Sequence, residues 1–205
     1  YLVACLGTLR AGMVVVNTNP LYTDRELEHQ LNDSGARILV LQANVAETAA
    51  NVVAKTGIEK IVLTEIADLH PAPKRWLLNG AVKYIKKMVP KVSLPNVIKF
   101  NDALTQGSQK QFTRVALNLD DLAMLQYTGG TTGVAKGAML SHGNIVANVM
   151  QIDGFFETFG IDAKGSVFMQ PLPVYHIYAF TVSMYSLRKG AVSYTHLTLP
   201  TSSWV

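Results

Sequence analysis

The feature that most constrains the fold is a unit that occurs twice near the N-terminus: a helical pattern, a glycine, then a short apolar run. In "TDRELEHQLNDSGARILVL", Thr23 followed by Glu26 three residues later forms a capping box, so a helix begins near Asp24. Leu27 and Leu31 share a face of it. Gly35 ends it, and Arg37 to Leu41 reads as a strand. "NVAETAANVVAKTG" repeats the order with Gly57 as the stop, and "IEKIVLT" is the next strand. Upstream, "YLVACLGTLRAGMVVV" reads as a buried helix, Gly12 as its stop, and a strand from Met13 to Val16. Strands alternating with helices predict an α/β fold on a parallel sheet with flanking helices.

The 205 residues are 49% hydrophobic and 16% charged, enough for one or two cores. Cys5 is the single cysteine, so no internal disulfide forms. A buried apolar role for it and a reducing, cytoplasmic setting are expected. The opening apolar run lacks a basic leader, is interrupted by Arg10 and is too short to span a bilayer. Starting at Tyr1 inside a helical pattern, the chain reads as a fragment that enters a domain part-way. The net charge of +4 gives no reason to expect nucleic acid.

The charge is unevenly placed. Residues 70–99 carry Lys74, Arg75, Lys83, Lys86, Lys87, Lys91 and Lys99 and no acid, which is +7 and leaves −3 for the rest. Winding Lys74 to Val89 at about 100° per residue gathers Leu77, Leu78, Ala81, Val82, Tyr84, Ile85 and Met88 on one arc. Arg75, Asn79, Lys83, Lys86 and Lys87 fall opposite, with Trp76 among them. The simpler reading is a helix packed on the domain with a solvated basic face. The other is a helix lying on an anionic membrane surface. Pro90 and Pro95 end the segment, "NVIKF" is a strand and 101–119 a polar connection.

"YTGGTTGVAKGAMLSH", Tyr127 to His142, holds four glycines, three threonines and one lysine. "DLAMLQYT" before it reads as a buried strand and "GAML" after it as a second, so the stretch joins two strands. Ser141 or Asn144 caps the helix that carries "IVANVMQ". Glycines let backbone N–H groups approach oxygen atoms closely. Thr128, Thr131 and Thr132 add hydroxyls, and Lys136 a point charge. That chemistry suits a polyphosphate, against the plainer reading of a surface hairpin. The spacing is neither G-x-x-x-x-G-K-[ST] nor G-x-G-x-x-G.

On these residues the chain resembles the adenylate-forming superfamily of acyl-CoA synthetases, luciferases and peptide-synthetase adenylation domains. "RAGMVVVNTNPLYTDRELEHQLNDSGARILV" upstream and "PLPVYHIYAF" downstream resemble bacterial long-chain fatty-acid–CoA ligases most. The likeness implies a partial N-terminal AMP-binding domain over 1–190. It implies acyl-CoA formation from fatty acid, ATP and coenzyme A through an acyl-adenylate, with Mg2+. A medium-chain- or aryl-CoA ligase is the alternative, as is an inactive fragment that only binds phosphate or a membrane surface. By resemblance, Thr128, Gly129, Gly130, Thr131, Thr132, Gly133 and Lys136 contact the β and γ phosphates in a loop that closes on ATP. His176, which on its own reads as a core histidine, is placed beside the reacting carboxylate. Tyr178 and Phe180 line either the acyl pocket or the core.

His29, His70 and His142 have no partner at metal-ligand spacing, and surface or capping roles suffice for them; no metal ligands are expected in the chain. The family's Gly-Tyr-Gly-x-Thr-Glu segment, whose glutamate holds magnesium, is not found, nor is the small C-terminal domain with its lysine. The chain alone is therefore expected to form no acyl-CoA. "SYTHLTLPTSSWV" departs from the family pattern, so 191–205 reads as a non-native tail. The expected setting is the cytoplasm, with peripheral contact at the inner face of the membrane if the basic segment docks there.

Overall fold

The computed structural model describes residues 1–128 and 135–194. They divide into two compact units. One comprises Tyr1–Asn17, Val115–Gln126 and the described residues from Ala138 on; the other comprises Thr18–Arg114 with the described part of Tyr127–Gly137.

In the first unit, α1 (Leu2–Arg10) leads through Gly12, at φ +72°, into β1 (Val15–Asn17). Only Cys5 of α1 is buried, so the helix expected to be buried lies half in solvent. β1 pairs in parallel with β5 (Leu122–Thr128), Val15 opposite Met124 and Asn17 opposite Gln126. β6 (Lys136–Ser141) is the next strand of that sheet. Ser141 caps α6 (His142–Thr158) in a capping box with Asn144, so both residues offered as caps act in it. β7 (Val167–Met169), α7 (Ile177–Lys189) and β8 (Val192–Tyr194) follow, β7 and β8 pairing in parallel. Cys5, Val15, Met124 and Phe180 form one core cluster; Val149, Ala163 and Tyr185 form another. Asp153 on α6, nearly buried, pairs with Arg188 at 3.3 Å and with Lys189.

In the second unit, Thr23 caps α2 (Asp24–Ser34), reciprocated by Glu26, and Gly35 closes the helix in the left-handed region, as the sequence predicts. β2 (Ile38–Gln42), β3 (Lys60–Thr64) and β4 (Val97–Lys99) form a parallel sheet, with α3 (Ala46–Val52) between the first two. Leu27, Leu31, Leu39, Leu41, Ala49, Val52 and Ile61 pack together there. Ile38 and Val40 point the other way and are 49% and 42% exposed, so this apolar strand is covered on one face.

Three further expectations change. Gly57 does not take a positive φ; α3 instead tightens into a 3-10 turn at Val53–Lys55, and Thr56 returns its N–H and hydroxyl to the Val53 carbonyl. Part of 101–119 is helical, as α5 (Phe100–Ser108). None of its residues is buried. The basic segment is helical, as α4 (Lys74–Gly80) continued by a π turn (Ala81–Ile85), but it does not pack by its apolar arc. No residue in it is buried, and Trp76, Leu77, Tyr84 and Ile85 are 65–79% exposed. Its anchor is polar. Asn79 accepts from the Ala67 N–H at 2.9 Å and donates to Glu65 at 3.0 Å and Asp68 at 3.2 Å.

Candidate functional site

The glycine and threonine loop leaves the end of β5 at Thr128 and re-enters at Lys136, the first residue of β6. It therefore joins two neighbouring strands, as read from the sequence. Thr128 and Lys136 are exposed. Gly129, Gly130, Thr131, Thr132 and Gly133 lie outside the described residues.

Both ends of the loop are tied to α2. The Tyr127 hydroxyl donates to Asp33 Oδ2 at 2.5 Å. His29 Nε2 lies 3.0 Å from the Ala135 carbonyl oxygen; since a carbonyl only accepts, Nε2 carries the hydrogen. Burial first, then the Asp33 hydrogen bond and charge, push the Tyr127 hydroxyl well above its ordinary pKa, so it stays a donor. Gly137 sits under the Tyr127 ring, where a Cβ would stand 2.9 Å from Cε2. None of His29, Asp33 or Gly137 was legible as a site residue. The only signal was the i, i+4 spacing of His29 and Asp33, which puts them on one helix face without naming what they face.

His176 belongs to the first unit. It is the N-cap of α7, and its Nδ1 accepts from the Tyr178 N–H at 3.3 Å. That leaves Nε2 as the protonated nitrogen of the neutral ring. His176 is exposed, so it is not the core histidine that its apolar neighbours suggest. The residue before it is held by a polar relay. Tyr1 donates to Asn17 Oδ1 at 2.8 Å, Asn17 Nδ2 to Gln126 Oε1 at 3.0 Å, and Gln126 Nε2 to the Tyr175 carbonyl at 3.5 Å. Of the pocket candidates, Tyr178 is 61% exposed, whereas Phe180 is fully buried against the Cys5–Val15–Met124 cluster, a core role. Among the described residues no three His, Cys, Asp or Glu side chains converge on a possible metal position.

A parallel α/β scaffold with a strand-to-strand glycine, threonine and lysine loop, and a histidine capping a later helix, defines the large domain of an adenylate-forming enzyme. The chain belongs to the AMP-binding enzyme family, whose model matches residues 1–201. It is 51% identical over 183 residues to a long-chain-fatty-acid–CoA ligase of Escherichia coli O157:H7, covering 89% of this chain and 32% of that protein. The chain thus spans about a third of such relatives' length. Its fold matches a long-chain-fatty-acid–CoA ligase from Archaeoglobus fulgidus (TM-score 0.64, 25% identity, 94% of this chain and 32% of that one). It also matches ATP-bound MatB from Rhodopseudomonas palustris (TM-score 0.64, 26% identity, again 94% and 32%).

Proposed function

We propose that the protein carrying this chain is an ATP-dependent, AMP-forming ligase that joins long-chain fatty acids to coenzyme A. The observation that carries the reading is the pair Thr128 and Lys136, presented at the two ends of a glycine-rich loop. In the first step a fatty-acid carboxylate oxygen attacks the α-phosphorus of ATP. The bond to pyrophosphate breaks, and the acyl-adenylate forms. Negative charge then gathers on the departing pyrophosphate, and loop N–H groups, threonine hydroxyls and the Lys136 ammonium are the donors that meet it. In the second step the coenzyme A sulfur attacks the acyl carbon, AMP leaves, and the thiol proton passes to solvent.

His176 is assigned to the carboxylate. A fatty acid is already ionised at neutral pH, so no base is needed. Nε2–H offers a hydrogen bond, and the N-terminus of the 13-residue α7 adds a favourable dipole. Magnesium, when bound with the nucleotide, would supply further neutralisation of the charge on its phosphates. The 205-residue chain by itself is expected to form no acyl-CoA.

The test is kinetic, on the full-length protein. Lys136→Ala should lower kcat/KM for ATP, and His176→Ala should lower the rate of acyl-adenylate formation. A competitive series of carboxylic acids should favour long alkyl chains over medium-chain and aryl acids. Unchanged ATP kinetics in Lys136→Ala would remove the phosphate-binding assignment.

We further infer peripheral contact with an anionic bilayer at the cytoplasmic face, through α4 and its π turn. The exposure of that segment supports it. Asn79 anchors the segment, and Trp76, Leu77, Tyr84 and Ile85 stand exposed alongside Lys74, Lys83, Lys86 and Lys87. Exposed rings and aliphatic chains ringed by cations fit a lipid interface, where each cation contributes about 1 kcal/mol. No described helix is long and apolar enough to cross a membrane. Sedimentation of the full-length protein with vesicles containing anionic lipid should persist at physiological salt and fall on Trp76→Ser with Ile85→Ser. Equal sedimentation of that variant would place the contact elsewhere. Absence of sedimentation at low salt would remove it.

A further inference from the structure

We propose that His29, Asp33 and Tyr127 are positioning residues for the nucleotide: α2 grips both stems of the glycine and threonine loop and so sets where Thr128 and Lys136 are presented. The inference rests on the reading that this loop holds the phosphates of ATP.

The grip has two points. On the outgoing stem, Tyr127 immediately precedes Thr128, and its hydroxyl is bonded to Asp33. On the returning stem, Ala135 immediately precedes Lys136, and its carbonyl is bonded to His29. Each phosphate-facing side chain is thus one residue from a bond to the same helix. His29 and Asp33 are four residues apart, one turn, so they make a single stripe. Leu27, Gln30 and Leu31 make a different stripe, buried in the unit's core. One short helix is packed by one side and holds the loop stems by another.

The helix is well suited to be the fixed part. Its first turn is locked by Thr23 and Glu26 and its end by Gly35. Asp24 accepts from Asn51 at 2.9 Å, tying the helix start to α3. Gly137 completes the arrangement on the returning stem. With no Cβ it lets the Tyr127 ring lie across the strand, and that placement brings the hydroxyl to Asp33. Holding Tyr127 and Ala135 in place before ATP arrives reduces the ordering that binding must otherwise impose on Thr128 and Lys136. The bonds also tolerate change in protonation: His29 donates from Nε2 whether neutral or cationic, and Tyr127 remains protonated.

The same bonds in a purely structural role would stabilise the fold without favouring one substrate. The experiment therefore separates substrates. In the full-length protein, steady-state kinetics are measured with ATP varied and then with fatty acid varied, for Tyr127→Phe, His29→Ala, His29→Gln and Lys136→Ala. Tyr127→Phe removes one oxygen and His29→Ala one donor, so each should lower kcat/KM for ATP about 3- to 10-fold, the weight of one hydrogen bond. KM for the fatty acid and the melting midpoint should hold. His29→Gln, which keeps an N–H donor, should recover most of the loss. Should His29→Ala fail to fold, Tyr127→Phe decides alone. If Lys136→Ala loses ATP efficiency while the stem variants lose none, or lose it equally for both substrates, the inference falls and the phosphate reading stands. If Lys136→Ala leaves ATP kinetics intact, both fall together.

Discussion

Gly137→Ala is the sharpest test of the local geometry. Its new Cβ would stand 2.9 Å from Tyr127 Cε2, 3.1 Å from Cζ and 3.4 Å from Cδ2. The opposing group is a ring, which cannot fold aside as a lysine or methionine end would. Nor can the ring simply slide, because its hydroxyl is held 2.5 Å from Asp33 and the residue is buried. Gly137 is not among the positive-φ glycines, so an alanine there meets crowding and no backbone strain. Overpacking of this kind costs about 1–3 kcal/mol. For a chain of this size that corresponds to a fall in melting midpoint of roughly 2–12 °C. Differential scanning calorimetry of the 205-residue chain reads it, with Tyr127→Leu as the companion background, where the ring is gone. In that background Gly137→Ala should cost little. A midpoint within a degree of the unsubstituted chain, or an equal fall in both backgrounds, would refute the packing argument.

Thr23→Ala should destabilise the second unit by about 1 kcal/mol, because it deletes the hydroxyl that accepts the Glu26 N–H; urea unfolding measures it. Asn79→Ala removes three hydrogen bonds that hold α4 against the Glu65–Asp68 turn, so trypsin should cut at Lys74 to Lys91 sooner while the global midpoint moves little. The Asp153 carboxylate raises the pKa of Lys189. That pair's stabilisation is therefore complete below the ordinary lysine pKa and is lost as pH rises through the folded value. Asp153→Asn should flatten the alkaline limb of a midpoint-against-pH curve.

Local structure was legible where the determinants are local. Thr23, Glu26 and Gly35 announce both ends of α2, and Ser141 with Asn144 announces the start of α6, because capping needs only residues three apart. The strand cores of β2 and β3 follow from short apolar runs between glycines and polar turns. α5 was not legible, since Phe100, Ala103 and Leu104 make only about one turn of apolar face and Phe100 reads as the end of the preceding strand. The apolar arc of α4 was legible, but not its direction. Periodicity says which residues share a face, whereas the anchor depends on Asn79 meeting residues 11 to 14 positions away. Of the candidate site, Thr128, Lys136 and His176 stood out by motif. His29 did not, because its partner Ala135 lies 106 residues on and a histidine within a polar helix carries no trace of a distant carbonyl.

The last turn of β5 shows why the motif's position matters as much as its composition. Adjacent residues of a strand point to opposite faces. Gln126 reaches the Tyr175 carbonyl, one residue before His176, while Tyr127 reaches Asp33 on α2, one residue before Thr128. The residue assigned to the carboxylate and the loop assigned to the phosphates thus take their supports from consecutive positions of one strand. The strand's register is itself pinned, since Asn17 stands opposite Gln126 and donates to both Gln126 and the Met124 sulfur. A slip of one residue would turn Gln126 to the face that Tyr127 now occupies and would undo both supports at once. Asn17, buried and remote in sequence from His176, is therefore where a small change should disturb the support of the histidine. Asn17→Leu, which fills the space but donates nothing, is expected to lower the efficiency with fatty acid in the full-length protein, whereas the α2 variants act on ATP. An unchanged efficiency with fatty acid would show that the relay from Asn17 to the Tyr175 carbonyl does not position His176.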